Sequence, residues 1–236
     1  LLKGFYSKGM GSMIVENNTI HDNYLYGIDP HTGTHDMIIR NNKVYGNNAS
    51  AIICSKHCYN ILFEGNEVYK NGGDNRGIAL SINTTHSIAR NNYVHDQLSC
   101  IGSNSASNFN TIEDNVFSNC KVAVNLADTS KNIINNNKII GGQVAIVLRD
   151  TTNKILHNKI ENTTNGIVLL SSSNAKEVNS DNDKETKQVN SAAFLNRMNV
   201  VNEMTGVKNP VVVNDTHSAG DNDTQNSKFH ATTGQN

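Results

Sequence analysis

A chain of 236 residues with 17% charged residues, 6% aromatics, no tryptophan, two prolines and a net charge of -1 can form one sizeable domain. It has no overall field with which to gather a polyanion, so nucleic acid is not an expected partner. No stretch approaches the roughly 20 apolar residues of a membrane span, and no secretory signal is present.

Asparagine occurs almost everywhere, and asparagine with glycine and few charges predicts short strands and tight turns rather than helices. The chain starts at Leu1 in mid-pattern without a methionine, which reads as a mature form or an excised fragment with upstream repeats missing. An Asn-x-apolar unit then recurs at Asn18-Thr19-Ile20, Asn42-Lys43-Val44, Asn66-Glu67-Val68, Asn92-Tyr93-Val94, Asn115-Val116-Phe117, Asn137-Lys138-Ile139 and Asn158-Lys159-Ile160. Its intervals are 24, 24, 26, 23, 22 and 21 residues. A period of that length, built from short β-type runs with no room for a helix, predicts an all-β parallel β-helix of about seven or eight coils. A leucine-rich repeat is the near competitor, but its regular leucine framework is absent.

Each unit holds a second strand, and aligning these gives two apolar columns. They are Ile28, Ile52, Ile78, Ile101, Val124, Ile146, Ile167 and Pro30, Cys54, Leu80, Ser103, Leu126, Leu148, Leu169. Alternation along a strand sends both inward. One asparagine at a fixed place per coil suits an amide ladder inside a turn, each side chain bonded to its neighbour about 4.8 Å away.

One of these second strands departs from the rest. Where the other units carry small or apolar residues, the first reads Tyr26-Gly27-Ile28-Asp29-Pro30-His31, with Tyr24 just before it. With Ile28 and Pro30 inward, Asp29 and His31 are expected exposed on one outer face, about 7 Å apart, on a backbone stiffened by the proline. The outward column from His31 continues through Ser55, Ser81 and Asn104. A column on the preceding strands, His21, Tyr45, Tyr69 and His95, is either a platform for sugar rings or aromatic stacking that stabilises the exterior. Lys43, Lys56, His57, Lys70 and Arg76 are the basic groups that could neutralise a carboxylate.

The four cysteines, Cys54, Cys58, Cys100 and Cys120, lack metal spacings and are read as structural thiols, with a hint of metal or disulfide in the Cys54/Cys58 pair. The coils are expected over residues 1–170. A polar loop over 171–190 follows, then an irregular last coil or cap over 191–213 involving Phe194, Leu195 and Met198, and a polar tail over 214–236.

The motif Tyr26-Gly27-Ile28-Asp29-Pro30-His31, preceded by His21-Asp22-Asn23 in Asn-rich coils, resembles the mannuronan C-5 epimerases of alginate-producing bacteria. Their signature is a tyrosine or related base followed by Gly-aliphatic-Asp-Pro-His. The resemblance runs roughly from Met13 to Leu170 and differs at Thr32 and Ser55, where the family carries acidic residues. It implies a right-handed parallel β-helix with an open groove at the motif, Tyr26 and His31 as the acid/base pair and Asp29 in support.

The expected function is conversion of mannuronate to guluronate in an alginate-like polymer. Tyr24, Tyr45, Ser55, Lys56, His57, Tyr69 and Arg76 are the expected substrate contacts. No cofactor is required, calcium is an option, and a monomer outside the cell or in the periplasm is expected. The alternatives are a polysaccharide lyase on the same groove and a non-catalytic carbohydrate-binding or structural β-solenoid.

Overall fold

The asparagines set the shape of each coil. At one corner of every turn Asn17, Asn41, Gly65, Asn91, Asp114, Asn136 and His157 take φ values between 52° and 63°, left-handed backbone that Gly, Asn and Asp adopt most cheaply. The next residue turns its amide inward, giving the ladder Asn18, Asn42, Asn66, Asn92, Asn115, Asn137, Asn158 and Asn202. Each Nδ2 donates to the Oδ1 of the next member at 2.9–3.1 Å. Asn92 also donates to the carbonyls of Phe63 and Arg90, both at 3.0 Å. Asn92→Ala therefore strips several buried backbone and amide groups of partners, and is expected to cost about 3 kcal/mol at roughly 1–3 kcal/mol per orphaned group. A denaturant midpoint equal to wild type would contradict this.

The structure is a computed structural model and describes residues 1–72, 76–126, 129–150, 152–170, 202–214 and 230–231. Between corners the chain is extended, with three strands per coil rather than the two read from the sequence. The first coil holds β1 (Phe5–Lys8), β2 (Ile14–Glu16) and β3 (Thr19–His21), and the second β4 (Ile28–His31), β5 (His35–Arg40) and β6 (Lys43–Tyr45). The third holds β7 (Ile52–Cys54), β8 (Tyr59–Glu64) and β9 (Glu67–Tyr69), and the fourth β10 (Arg76–Leu80), β11 (Ile88–Arg90) and β12 (Tyr93–His95). Three more coils run from β13 (Ser99–Ser103) through β14 (Thr111–Glu113), β15 (Val116–Ser118), β16 (Val122–Leu126), β17 (Ile133–Asn135), β18 (Lys138–Ile140), β19 (Val144–Leu148) and β20 (Lys154–Leu156) to β21 (Lys159–Glu161).

Every third strand pairs in parallel with its equivalent in the next coil, making three sheets that enclose one core. The middle strand of each coil escaped the sequence reading because its outward face is partly apolar, as at Ile14, Ile38, Leu62 and Ile88, which blurs the alternation. The inward columns are as expected: Ile28, Ile52, Ile78, Ile101, Val124, Ile146 and Ile167 are all 0% exposed. Burying each such side chain contributes about 1.5–3 kcal/mol, and their register places like on like along the solenoid.

After β22 (Asn165–Leu170) the described chain resumes with β23 (Glu203–Thr205) and β24 (Asn209–Asn214). The expected polar loop over 171–190 and the capping residues Phe194, Leu195 and Met198 lie outside the described residues. Within the stretch expected to be a polar tail, β25 (His230–Ala231) pairs antiparallel with β24.

Cys100 and Cys120 form a disulfide, Cα to Cα 5.7 Å, which corrects the reading of all four cysteines as thiols. Their separation of 20 residues falls just short of the repeat, so they share no column in the sequence although the next coil brings them together. A loop of that size stabilises by about 3 kcal/mol. Cys54 and Cys58 are free and buried.

Candidate active site

The departure in β4 is met by two residues from the coil before it. β1 pairs with β4 so that Phe5 faces Ile28 and Tyr6 faces Asp29, which places Lys3 opposite Tyr26. Lys3 Nζ lies 2.6 Å from Asp29 Oδ2. It also sits 4.2 Å from the centroid of the Tyr6 ring and 5.7 Å from that of Tyr26, within reach of both ring faces. From the following coil Ser55 Oγ donates to Asp29 Oδ1 at 2.5 Å. Both carboxylate oxygens are thus occupied.

Asp29 keeps the outward direction that alternation gives it, yet its side chain is 0% exposed. The expectation of an exposed carboxylate is therefore corrected: residues from the coils on either side close over it. Ser55, where this chain differs from the epimerase pattern, supplies the donor to Asp29 Oδ1.

His31 is half-buried, its ring 5.6 Å from that of Tyr6 and inclined at 50°. Its Nδ1 accepts the Thr32 backbone N–H at 2.9 Å and contacts Thr32 Oγ1 at 2.7 Å. A backbone N–H can only donate, so the neutral ring carries its proton on Nε2. The backbone of residue 32, rather than the threonine side chain by which this chain differs from the epimerase pattern, thereby selects the tautomer.

The remaining candidates are spread more widely than expected. Tyr24 is 67% exposed, beside the motif. Lys56 and His57 are exposed in the turn after β7, where Gly33 donates its N–H to the Lys56 carbonyl. Arg76 is carried away from the site: its Cδ and Nε lie 2.5 and 2.7 Å from where a Cβ on Gly102 would stand. Gly102 faces Ala79, and Ala79 faces Ile53, the neighbour of Asp29 in the same outward column. Three strand spacings, about 14 Å, separate Arg76's resting place from Asp29, so it does not neutralise a group held there.

Tyr45 and Tyr69 stack between His21 and His95, with centroids 4.9–5.0 Å apart and ring planes within 12° of parallel. Each tyrosine has both faces covered by a neighbouring ring and offers edges and hydroxyls rather than a stacking surface. His95 donates from Nδ1 to Asp96 at 2.8 Å, which holds the Asp96 carboxyl below its ordinary range. Lys43 is paired with Glu67 at 3.1 Å. Lys70 is exposed at a left-handed corner, φ 50°.

Behind the site Cys58 Sγ lies 3.5 Å from the Pro30 carbonyl, and burial pushes the adjoining Cys54 thiol well up. Among the described residues no three His, Cys, Asp or Glu side chains converge as metal ligands, and no helix is long and apolar enough to cross a membrane. A concavity of about 330 Å³ lies on another sheet, between Asp36, Asn60, Leu62 and Arg90. It is lined by paired charges and aliphatic side chains, whereas around Asp29 a cation, a phenol and an imidazole meet.

Lys3 and Tyr6 were missed in the sequence because the repeat was counted only from Asn18. Each lies one period before a motif residue, and carrying the interval back from Tyr26 and Asp29 would have found both.

The family described as right handed beta helix region matches residues 2–139 and 75–206, and the chain belongs to it. None of the curated proteins compared with the sequence matches. Among solved structures, an alginate lyase from Paenibacillus sp. strain FPU-7 is 14% identical with a TM-score of 0.56, over 64% of this chain and 59% of that one. The periplasmic alginate epimerase AlgG is 21% identical with a TM-score of 0.50, over 90% of this chain and 45% of that one. XylC in complex with xylose is 13% identical with a TM-score of 0.56, over 85% and 45%. This chain therefore spans about half the length of these proteins, and at such identities the likeness is one of fold.

Proposed function

We propose that this chain is a C-5 epimerase of a uronic-acid polymer, converting mannuronate to guluronate in an alginate-like polysaccharide. The observation that carries the reading is the Lys3–Asp29 pair on an outer sheet face, with Tyr26 and His31 flanking it. Removing a proton from C-5 requires the adjacent carboxylate's charge to be neutralised, one group to take the proton and another to return one to the opposite face.

Lys3 is assigned the first task, since an ammonium has three donors and Asp29 uses one. This role replaces those considered for Lys56 and Arg76. Asp29, fixed by Ser55, holds Lys3 in position. With Nδ1 occupied by Thr32, His31 presents Nε2–H and serves as the acid. Tyr26, whose ring centroid lies 5.7 Å from the Lys3 ammonium, is then assigned as the base. No organic cofactor enters these steps. A disulfide together with a polymeric substrate supports a site of action in the periplasm or outside the cell.

The Paenibacillus lyase and AlgG share this fold and, by their names, a polymer, so the lyase is the second reading; it shares the first two steps and then expels the glycosidic oxygen. Incubation with polymannuronate separates them. New guluronate anomeric signals at constant chain length support the epimerase. Unsaturated ends with falling chain length would replace it with the lyase. Binding without either would leave a carbohydrate-binding solenoid.

A further inference from the structure

The turn after β7 carries two thiols that the proposed mechanism does not use. Its position Cys58 is held by Thr34, Thr84 and Ser107 in neighbouring coils, which the backbone and side-chain bonds between coils align. There the threonine hydroxyls donate within their own turns, Thr34 to the His31 carbonyl at 2.7 Å and Thr84 to the Ser81 carbonyl at 2.8 Å. The turn therefore does not require sulfur. Cys58 Sγ instead reaches the Pro30 carbonyl at 3.5 Å, an oxygen that also accepts the Ser55 N–H at 3.0 Å. A hydrogen bond joins the Cys54 and Cys58 thiols. That bond holds Cys58 below its usual range while burial pushes Cys54 up, so one sulfur is favoured as a thiolate nucleophile and the other keeps its proton. Both are 0% exposed, but their cover is the short turn Ser55, Lys56 and His57, of which the last two are exposed.

We propose that Cys54 and Cys58 are a reversible dithiol/disulfide pair, oxidised by peroxide, that controls the cover of Asp29. The Cys58 thiolate attacks one oxygen of hydrogen peroxide, the O–O bond breaks, and the departing hydroxide takes up the proton Cys58 gave to solvent. The Cys54 sulfur then attacks the sulfenic acid on Cys58; the S–S bond forms and the hydroxyl leaves with the Cys54 proton as a second water. Two thiols thus give up two electrons and one peroxide becomes two waters. A thiol reductant reverses the step by exchange. Peroxide is nearly as small as water, so a slight opening of the turn admits it. An S–S bond of about 2 Å draws both sulfurs inward from their hydrogen-bonded contact, and the Pro30 carbonyl loses Cys58 as a donor. Ser55, which adjoins Cys54 and fixes Asp29 Oδ1, shifts with them. The link to turnover rests on the epimerase reading above; the sulfur chemistry does not.

The test treats the folded wild type and Cys58→Thr with hydrogen peroxide, then denatures, alkylates with iodoacetamide and digests each for mass spectrometry. Trypsin cuts after Lys56, between the two cysteines, so a disulfide appears as two joined peptides. Untreated wild type is expected to be alkylated at Cys54 and Cys58, and treated wild type at neither, with the peptides joined and dithiothreitol restoring both thiols. Cys58→Thr, which takes the residue of the neighbouring coils, is expected to stay alkylatable at Cys54 after peroxide. Thiols that both survive peroxide, or a Cys58 recovered as sulfinic or sulfonic acid without a link to Cys54, would overturn the pair. In parallel, oxidation is expected to slow turnover of polymannuronate by wild type about tenfold, the scale of a small displacement at an active site. Dithiothreitol is expected to restore it, and Cys58→Thr to keep its rate through peroxide treatment. Equal turnover by reduced and oxidised wild type would overturn control of the site. If neither form turns over the polymer, the epimerase reading fails, and the alkylation pattern still decides the pair.

Discussion

Asp29→Asn is expected to abolish turnover and to lower stability by about 2 kcal/mol. The amide has the size of the carboxylate but no charge, so it cannot hold Lys3, and its NH2 group faces donors where the carboxylate accepted from both sides. Hydrogen bonds to charged groups are worth roughly 1.5–3 kcal/mol each. Lys3, at 21% exposure, can turn toward water and recover part of that, which keeps the loss below the roughly 3–5 kcal/mol of a fully buried broken pair. The midpoint of urea unfolding at unchanged slope reads the stability change. His31→Ala is the contrast: the ring is half-buried and bonds mainly to its own neighbour Thr32, so turnover is lost while stability moves by less than about 1 kcal/mol. An Asp29→Asn protein as stable and as active as wild type would remove both the ion pair and the catalytic assignment.

Ile78→Asp has the opposite profile. Ile78 is 0% exposed and lies in register between Ile52 and Ile101 on neighbouring coils, among apolar side chains. A carboxylate there has no partner, and burying it costs about 4 kcal/mol or more, or forces the coil open to admit water. That is a large part of the 5–15 kcal/mol that typically separates folded from unfolded chains. The expected result is loss of the cooperative β signal in far-ultraviolet circular dichroism, or a sharply lowered urea midpoint. A variant with the wild-type midpoint would mean that the column does not point inward.

These two residues also mark what the sequence makes legible. Ile78 could be assigned because a repeat multiplies every observation: seven aligned strands show an apolar residue at one place, and strand alternation leaves one direction for all of them. The asparagine ladder was legible for the same reason. Asp29 occurs once, and alternation fixed its direction but not its cover, which comes from Lys3 and Ser55 on adjacent coils. Arg76 was assigned to the site by nearness in sequence, but its side chain runs away from Asp29 because Gly102 leaves it room. The tyrosine and histidine column was legible as aligned rings, with its role left open between a sugar platform and exterior stacking. What it offers a ligand depended on ring spacing: at about 5 Å between near-parallel rings, the faces are already used. Cys100 and Cys120 pair across coils slightly out of phase with the repeat, so aligning units separates them.

The central claim, that Tyr26 and His31 exchange protons at C-5 across the two faces of one sugar, is tested most directly by running the reaction on polymannuronate in deuterated water and reading C-5 by NMR. Both groups equilibrate with solvent, so each inverted unit is expected to carry deuterium at C-5 with the chain length unchanged. Inverted units that retain protium, or a folded protein that neither inverts nor exchanges any unit, would contradict it.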